Sequence, residues 1–311
     1  MANITTGSAA ASYVMAAQRL FPEDAVPILD RLTAQPLCFY SHWHKTRAAY
    51  TGKPIKVRRA SDNALADIAF TGNVLDVAAL DAHCTTSNGF IHTLYDQKGA
   101  LDLTQATDAS QPQIWDGAKR DFVSYSRDTN LGIAIPLLKF DGSNDFMSYV
   151  GAIGLTGNPA LTVAMVATNS TVNGHFVAFG DTANAANKAL GLYAQSSTQA
   201  VAHNNSGFRT LTATALTALS RHVITRAAAA DANATVWRQN AAALAQDSSG
   251  AGTPALEDET LVLGANSASA QFGATTFGML GIFASDYSAV GQATDLATLE
   301  AWMKSAHPGS G

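Results

Sequence analysis

The sequence is poor in charged residues, and in glutamate above all. Only 14% of its 311 residues are charged, with 19 Lys and Arg against 24 Asp and Glu, and the formal net charge is -5. No long basic run is present, which argues against a dedicated nucleic-acid-binding protein. The four glutamates are Glu23, Glu257, Glu259 and Glu300.

Cysteines and long apolar runs are also scarce. The two cysteines, Cys38 and Cys84, are too few for the disulfide framework of a small secreted domain, and the sequence leaves open whether they pair. No stretch approaches the roughly 18 uninterrupted apolar residues of a transmembrane helix, so we expect no membrane span. Residues 1–20 lack a basic segment followed by a continuous apolar core, so we expect no signal peptide.

Hydrophobic residues make up 47% of the chain, which is ample material for a core. Residues 1–35 are rich in Ala and place apolar side chains on one helical face, which predicts a short N-terminal helical arm. Residues 36–311 consist of short apolar runs separated by Gly, Asn, Asp and Ser, which predicts a β-sandwich or barrel. Typical runs are PIKVRR, ALTVAMVA, GHFVAFG, HVITR, TLVLGA and TFGMLGIFA.

Two helices are predicted within the strand-rich part. One covers about Leu75 to His83, where Asp76 is a candidate N-cap. The other covers residues 295–306 and ends the chain with an apolar stripe that predicts docking on the sandwich. The stripe consists of Leu296, Leu299, Trp302 and Met303.

Three stretches resemble known sandwich proteins. Residues 47–107 resemble the opening of the alpha-L-arabinofuranosidase B catalytic domain, most specifically in Tyr95-Asp96-Gln97 and in LTQA at 103–106. KFDGSNDFM at 139–147 resembles the Phe-Asp-Gly strand of laminin-G-like sandwiches, and residues 220–286 follow the closing order of those proteins. The resemblance implies an all-β, laminin-G/concanavalin A-like jelly-roll sandwich with a short N-terminal helical arm and a C-terminal helix.

For the enzymes of that family, the resemblance implies retaining hydrolysis, which needs two carboxyl groups about 5 Å apart. The family's nucleophile run has its nearest counterpart in VAHNNSGF at 201–208, where Ala202 and Asn204 stand at the acidic positions. In LVLGANSASA, Asn266 and Ser267 stand where the family has its acid/base aspartate. An amide cannot act as a nucleophile or proton donor in this chemistry, so we do not expect the hydrolytic activity.

Sugar sites combine aromatic faces with amide and carboxylate groups. Three stretches offer such groups and together predict a carbohydrate-binding site. The alternative for each is structural: packed aromatic rings, and an asparagine hairpin turn. The predicted residues are Tyr95, Asp96, Gln97, Trp115, His203, Asn204 and Asn205.

One acidic turn is a candidate metal site. Asp141, Asn144 and Asp145 offer oxygen ligands of the kind that Ca²⁺ takes in sandwich lectins. The alternative is that Asp and Asn in such turns bond their own backbone. We expect no other cofactor.

Histidine motifs give a weaker metal signal. His42 and His44 share one strand face, a spacing that can ligate a metal, but no third ligand is near in sequence, which favours two packed or surface histidines. His83, Cys84 and His92 would meet only if the first helix and the next strand fold back together.

The missing acids, the absent leader and the Ala-rich arm together favour a non-catalytic structural or adhesion protein of a phage or phage-like particle, as a decoration, fibre or tail component. We expect it in the virion after synthesis in the cytoplasm, as a homo-oligomer. Residues 1–35 would contact other particle proteins, and the sandwich would bind host surface glycans, with neither nucleic acid nor membrane as partner. The alternatives are a retaining glycosidase acting through Asp96, Asp141 or Asp145, and a free carbohydrate-binding module.

Overall fold

Strands dominate the described part of the chain. The computed structural model describes residues 26–128, 133–183, 185, 188–203, 208–213, 215–228, 235–249, 255–308 and 310. These residues contain 24 strands and two α-helices. No helix among them is long and apolar enough to cross a membrane.

The strands and helices have the following bounds. The first strands are β1 (Cys38–Ser41), β2 (Ile55–Arg59), β3 (Leu65–Ile68), β4 (Phe70–Thr71), β5 (Val74–Leu75), β6 (Gly89–Leu94), β7 (Leu103–Thr104), β8 (Gln113–Asp116), β9 (Asp121–Phe122), β10 (Tyr125–Asp128), β11 (Ile133–Pro136) and β12 (Leu138–Lys139). The later strands are β13 (Met147–Val150), β14 (Leu161–Asn169), β15 (Gly174–Gly180), β16 (Ala189–Ser196), β17 (Gln199–His203), β18 (Phe208–Thr212), β19 (Ser220–Arg226), β20 (Val236–Gln239), β21 (Ala242–Ala243), β22 (Ala245–Ser249), β23 (Thr260–Leu263) and β24 (Thr275–Phe283). The helices are α1 (Val77–Cys84) and α2 (Ala293–Ala306).

Two antiparallel ladders form the layers of a β-sandwich. The front ladder runs β7-β13-β23-β15-β16-β17-β18-β22, and the back ladder runs β21-β20-β19-β14-β24, with β1 and β12 both pairing to the far side of β24. Strands β2, β3, β6, β8 and β9 form an extension that joins both ladders. Side chains from both layers meet in one core, among them Val163, Met165, Ile224 and Leu280 from the back and Val177, Phe179, Leu192 and Leu261 from the front. The predicted all-β sandwich is confirmed.

The back ladder is covered on its outer face as well. A second apolar cluster lies there, where residues of β14, β19 and β24 meet the apolar stripe of α2. Strands that are buried on both faces read as near-continuous apolar runs, as LTVAMVA and FGMLGIF do here.

Both predicted helices are confirmed. Helix α1 begins after Asp76, whose carboxylate accepts a hydrogen bond from the backbone N–H of Ala79 and so satisfies one of the free donors of the first turn. Helix α2 begins at Ala293, two residues before the predicted start, and buries Leu299, Trp302 and Met303.

The N-terminal arm packs on its own chain where it is described. Ile28, Leu29 and Leu32 belong to the outer cluster, and the predicted helix over this part of the arm is one 3-10 turn, Ile28–Asp30. The backbone N–H groups of Thr33 and Ala34 donate to the carboxylate of Asp295 in α2. The first predicted helix of the arm lies outside the described residues.

Both cysteines are buried and unpaired. Burial raises the pKa of the Cys84 thiol to about 12 and that of Cys38 further, so neither forms a thiolate at neutral pH. They act as small apolar core residues.

We predict that Trp302→Ala destabilises the protein by roughly 3–5 kcal/mol, because it opens a cavity under α2. The indole packs edge-on against Phe39 and His44, with ring centroids 6.0 Å from each. Urea unfolding measures the loss. The control is Val290→Ala, because Val290 is 98% exposed and its truncation leaves no cavity; equal losses in the two variants would contradict the docking of α2.

Candidate functional site

The Tyr95-Asp96-Gln97 segment, which carries the family resemblance, ties the β1 region to the loop after β6. The Asp96 carboxylate accepts hydrogen bonds from the backbone N–H groups of Phe39 and Lys98 on one oxygen and of Gly99, Ala100 and Leu101 on the other. Five donors leave this carboxylate little capacity for substrate chemistry. Asp96 therefore holds the fold together.

Gln97 has a similar role. Its side-chain oxygen accepts from the backbone N–H and the hydroxyl of Thr46, and its NH₂ group donates to the carbonyls of Ser41 and His44. The residue is 1% exposed, so the whole amide is used inside the protein.

The other residues predicted to bind sugar are dispersed. Trp115 is 0% exposed and packs edge-on against Phe122 at 5.3 Å, which leaves no open ring face. Tyr95 is partly exposed and donates its hydroxyl to Asp67 at 2.8 Å. His203 ends β17, where its backbone pairs with Gly191 of β16. Asn204 and Asn205 lie outside the described residues.

The candidate Ca²⁺ turn is closed by its own backbone. One carboxylate oxygen of Asp141 accepts from the N–H groups of Ser143 and Asn144, and Asp145 accepts from the N–H of Asp141. The Asn144 side chain donates to the carbonyl of Ala109. This is the structural alternative for such turns; the metal itself stays a prediction.

The described residues contain one group of three carboxylates within 4.8 Å of one another, Asp181, Glu257 and Glu259. Each of these carboxylates already has a hydrogen-bond or ion-pair partner within the protein. Lys188 pairs with Glu257 at 2.5 Å, and Glu259 accepts from the N–H and hydroxyl of Thr182. Asp181 accepts from the N–H groups of residues 183 and 185. These contacts fix the loops at one end of β15.

A polar site that the sequence analysis did not identify lies at the other end of β15, where β23 ends. The chain after β23 folds back on itself. The N–H of Gly264 donates to the backbone carbonyl of Phe176, and the N–H of Gly273 donates to the backbone carbonyl of Gly264. The backbone of Ser269 and Gln271 has a φ of 53°, in the left-handed region. Non-glycine residues in this region store backbone strain, which clusters at functional sites.

Asn266 holds the shape of this loop. Its side-chain oxygen accepts from the N–H groups of Ala268 and Ala270, and its NH₂ group donates to the side chain of Gln271 at 3.1 Å. Asn266 is buried and Gln271 is exposed, so the Gln271 amide lies at the rim. Asn266, one of the two residues that the sequence resemblance sets at the family's acid/base position, is thus a loop-shaping amide.

Aromatic side chains flank the loop on both sides. Phe146 and Phe272 are partly exposed, with ring centroids 6.0 Å apart and planes 33° from parallel. On the other side, His175 and Tyr193 stack at 4.9 Å and 26°. A register shift in β15 follows His175, and Tyr193 alternates with the core residues Leu192 and Ala194, so it faces away from the core.

The two aromatic pairs lie in one row across the front ladder. The strand register aligns Met147 of β13 with Leu263 of β23, Leu263 with Val177 of β15, and Val177 with Leu192 of β16. The residues that follow these pairs toward the loop, such as Phe146 and Tyr193, therefore lie at the same height along the ladder. Three strand spacings separate β13 from β16, about 14 Å. The row, which we call the aromatic row, comprises Phe146, Phe272, His175 and Tyr193, with the amides of Asn266 and Gln271 between its ends.

One signal for this site is visible in the sequence. Phe272 stands in the Gln-Phe-Gly turn between two apolar strand runs, where an aromatic residue has no core to enter. Phe146, His175 and Tyr193 follow core patterns and could not be distinguished from packed residues.

The comparisons with known proteins agree with this architecture. The sequence model of the catalytic domain of alpha-L-arabinofuranosidase B matches residues 37–185, just under half of the chain, and confirms the resemblance over that stretch. No curated protein matches.

Three similar solved structures are arabinofuranosidases. A mutant GH54 α-L-arabinofuranosidase soaked with 4-nitrophenyl α-L-arabinofuranoside has a TM-score of 0.69 at 15% identity, over 90% of this chain and 64% of its own. A GH54 enzyme with a cyclic sulfate inhibitor gives 0.61 at 15% identity, over 90% and 64%. An arabinofuranosidase with arabinofuranosyl-alpha-1,2-xylobiose gives 0.58 at 16% identity, over 88% and 64%. The shared feature is the fold, and this chain spans 64% of the length of each enzyme.

Asp145 is the carboxylate next to the aromatic row. Its backbone carbonyl oxygen lies close to Gly264, at 3.3 Å from the position that a Cβ on this glycine would take. The Asp145 residue is 6% exposed. Burial raises the pKa of this carboxyl to about 7. A raised pKa suits a general acid, but Asp145 is buried, and the neighbouring carboxylate of Asp141 is engaged by the backbone N–H groups of Ser143 and Asn144.

We predict that Asp145→Asn stabilises the protein at pH 8 and not at pH 4. The folded pKa is above the unfolded value of 3.8, so this carboxyl favours folding below pH 4 and the benefit is lost as the pH rises through 7. Each pKa unit by which the folded and unfolded values differ changes the free energy of unfolding by about 1.4 kcal/mol. Urea unfolding of both proteins at the two pH values measures the difference, with partly exposed Asp286→Asn as the control. A wild-type–variant difference that does not change with pH would contradict the buried-carboxyl assignment.

Proposed function

We propose that this chain is a carbohydrate-binding protein that holds an arabinofuranosyl-containing polysaccharide along the aromatic row without cleaving it. The observation that carries the proposal is the combination of the partly exposed rings of Phe146, Phe272 and Tyr193 with the rim amide of Gln271, on a fold shared with arabinofuranosidases. His175, the fourth member of the row, is buried and backs the ring of Tyr193. Rings stack on the C–H faces of sugars, and amides bond their hydroxyls.

The charge of the site fits a neutral glycan. The row consists of aromatic, imidazole and amide groups, and the adjacent carboxyl of Asp145 is mostly neutral at pH 6. The length of the row, about 14 Å, gives room for more than one sugar. These features favour a neutral pentose chain over an acidic one.

Hydrolysis is the second candidate, and the match over residues 37–185 favours it. Against it stands what the sequence resemblance implies, namely that the family's acids have their counterparts in Ala202, Asn204, Asn266 and Ser267. The three described acids that cluster, at the far end of β15, are engaged with backbone donors, a hydroxyl and Lys188.

The particle hypothesis stays a prediction. The family model and the three similar structures described above are those of arabinofuranosidases, and Ile28, Leu29 and Leu32 pack on the sandwich of the same chain instead of remaining available to another. Residues 1–25, the rest of the proposed contact arm, lie outside the described residues. A virion location, a homo-oligomer and host-glycan attachment are compatible with glycan binding and rest on the sequence argument alone.

We predict that Phe272→Ala weakens binding of arabinan or arabinoxylan oligosaccharides roughly tenfold, because a lost stacking face costs about 1.4 kcal/mol. Isothermal titration calorimetry measures the affinity. Val172→Ala, a truncation at a 65% exposed position, is the matched control and should bind as the wild type does. Unchanged affinity in Phe272→Ala would remove the row from the site.

We also predict no release of nitrophenol from 4-nitrophenyl α-L-arabinofuranoside above a buffer blank, because the described site lacks the carboxyl pair. Release that is proportional to protein concentration, and survives repurification, would support the second candidate and overturn the non-catalytic part of the proposal.

A further inference from the structure

The described residues of the C-terminal tail, His307, Pro308 and Ser310, are folded into the protein. His307 is 0% exposed, and Ser310 is 2% exposed. Arg221 of β19 donates through its guanidinium to the carbonyl and hydroxyl of Ser310, and the Ser126 hydroxyl donates to the carbonyl of Pro308. The tail is therefore docked by specific contacts as well as by burial.

Three buried imidazoles meet where the tail begins. His42 and His44 each use Nε2 in a hydrogen bond, to the carbonyls of Pro136 at 2.8 Å and Ala306 at 3.0 Å. His307 lies edge-on to His44, with ring centroids 5.8 Å apart. Neither ring nitrogen of His307 has a hydrogen-bond partner among the described residues. A charged His307 would thus have no acceptor among the described residues that line the pocket.

The pocket has no room to adapt on the β24 side. A Cβ on Gly278 would lie 2.6 Å from the ring of His307, closer than real contacts allow. The glycine at this position is what lets the ring approach the strand.

No described carboxylate is available to balance a positive charge on the three imidazoles. Strands β14 and β24 carry no ionisable side chain. On β19 the nearby charge is Arg221, a cation, and His222 lies on the core face against Trp237. On α2, Asp295 binds the N–H groups of Thr33 and Ala34.

The remaining ionisable groups of α2 are also accounted for. Glu300 is paired with Arg238 of β20 at 2.7 Å, and Lys304 is exposed. Burial is the largest cause that lowers the pKa values of the three histidines, to about 4 for His42, about 3 for His44 and well below the usual range for His307. The two other imidazoles lower the pKa of His307 further.

We propose that the tail is an acid-released clasp. In the docked state, neutral His307 occupies the pocket beside His44 and Gly278. When His307 takes up a proton in the undocked tail, the charged ring no longer enters the pocket. The folded pKa of His307 is below its unfolded value of 6.5, so docking is fully favourable above pH 6.5 and weakens as the pH falls. A docked tail covers the end of α2; an undocked tail exposes it.

Hydrogen–deuterium exchange of the C-terminal peptide, at pH 7.5 and pH 5.0 and corrected for intrinsic rates, tests the clasp. An undocked histidine with a pKa near 6.5 raises the opening equilibrium by roughly thirtyfold between these pH values. The expected result is that rise in the tail, with β14 and β24 still protected. His307→Gln, which is polar but does not titrate in this range, is expected to abolish most of the rise.

Gly278→Ala supplies the converse test, because its methyl group displaces the ring without any proton. It is expected to open the tail at pH 7.5 and leave little further opening at pH 5.0. The clasp is overturned if wild-type tail exchange is the same at both pH values, or if His307→Gln keeps the full rise. It is also overturned if β14 and β24 lose protection together with the tail, because that result means global acid unfolding.

Discussion

The burial of β24 on both faces is the constraint on which the rest of the structure depends. This strand pairs with β14 on one side and with β1 and β12 on the other. Its inner face meets the front ladder through Phe277, Leu280 and Ile282, and its outer face meets α2 through Met279 and Phe283. A strand in this position needs a cover on each side, and on the outer face helix α2 and the segment before β1 supply it.

Two glycines of β24 set how closely those covers approach. Gly278 admits the ring of His307, and a Cβ on Gly281 would lie 2.7 Å from the ring of Phe39. The strand also begins directly after the folded-back loop of the candidate site, so the same strand anchors the aromatic row at one end and the covering helix along its face. Substitutions in β24 should therefore affect both regions.

Local pattern was enough to predict much of the fold. Alternating or continuous apolar runs predicted the main strands, Asp76 predicted the start of α1, and the spacing of Leu299, Trp302 and Met303 predicted the docked face of α2. The site was harder, because Asp96, Gln97 and Trp115 have the residue types of a sugar site and the burial of structural residues. Burial depends on which strands pair, and strands that are distant in sequence, such as β13, β23, β15 and β16, bring the aromatic row together. The apolar pattern of a strand sets which of its faces is buried, but not which distant strand it pairs with.

The fold resembles that of sugar-cleaving enzymes, whereas the described site offers rings and amides in place of paired acids. Hydrogen–deuterium exchange with and without an arabinofuranosyl oligosaccharide tests this account most directly, because it locates a ligand whether or not it is cleaved. The account predicts new protection in residues 264–274 and around Tyr193, with the oligosaccharide recovered intact. Protection centred on Tyr95 and Asp67, or recovery of cleaved sugar, would contradict it.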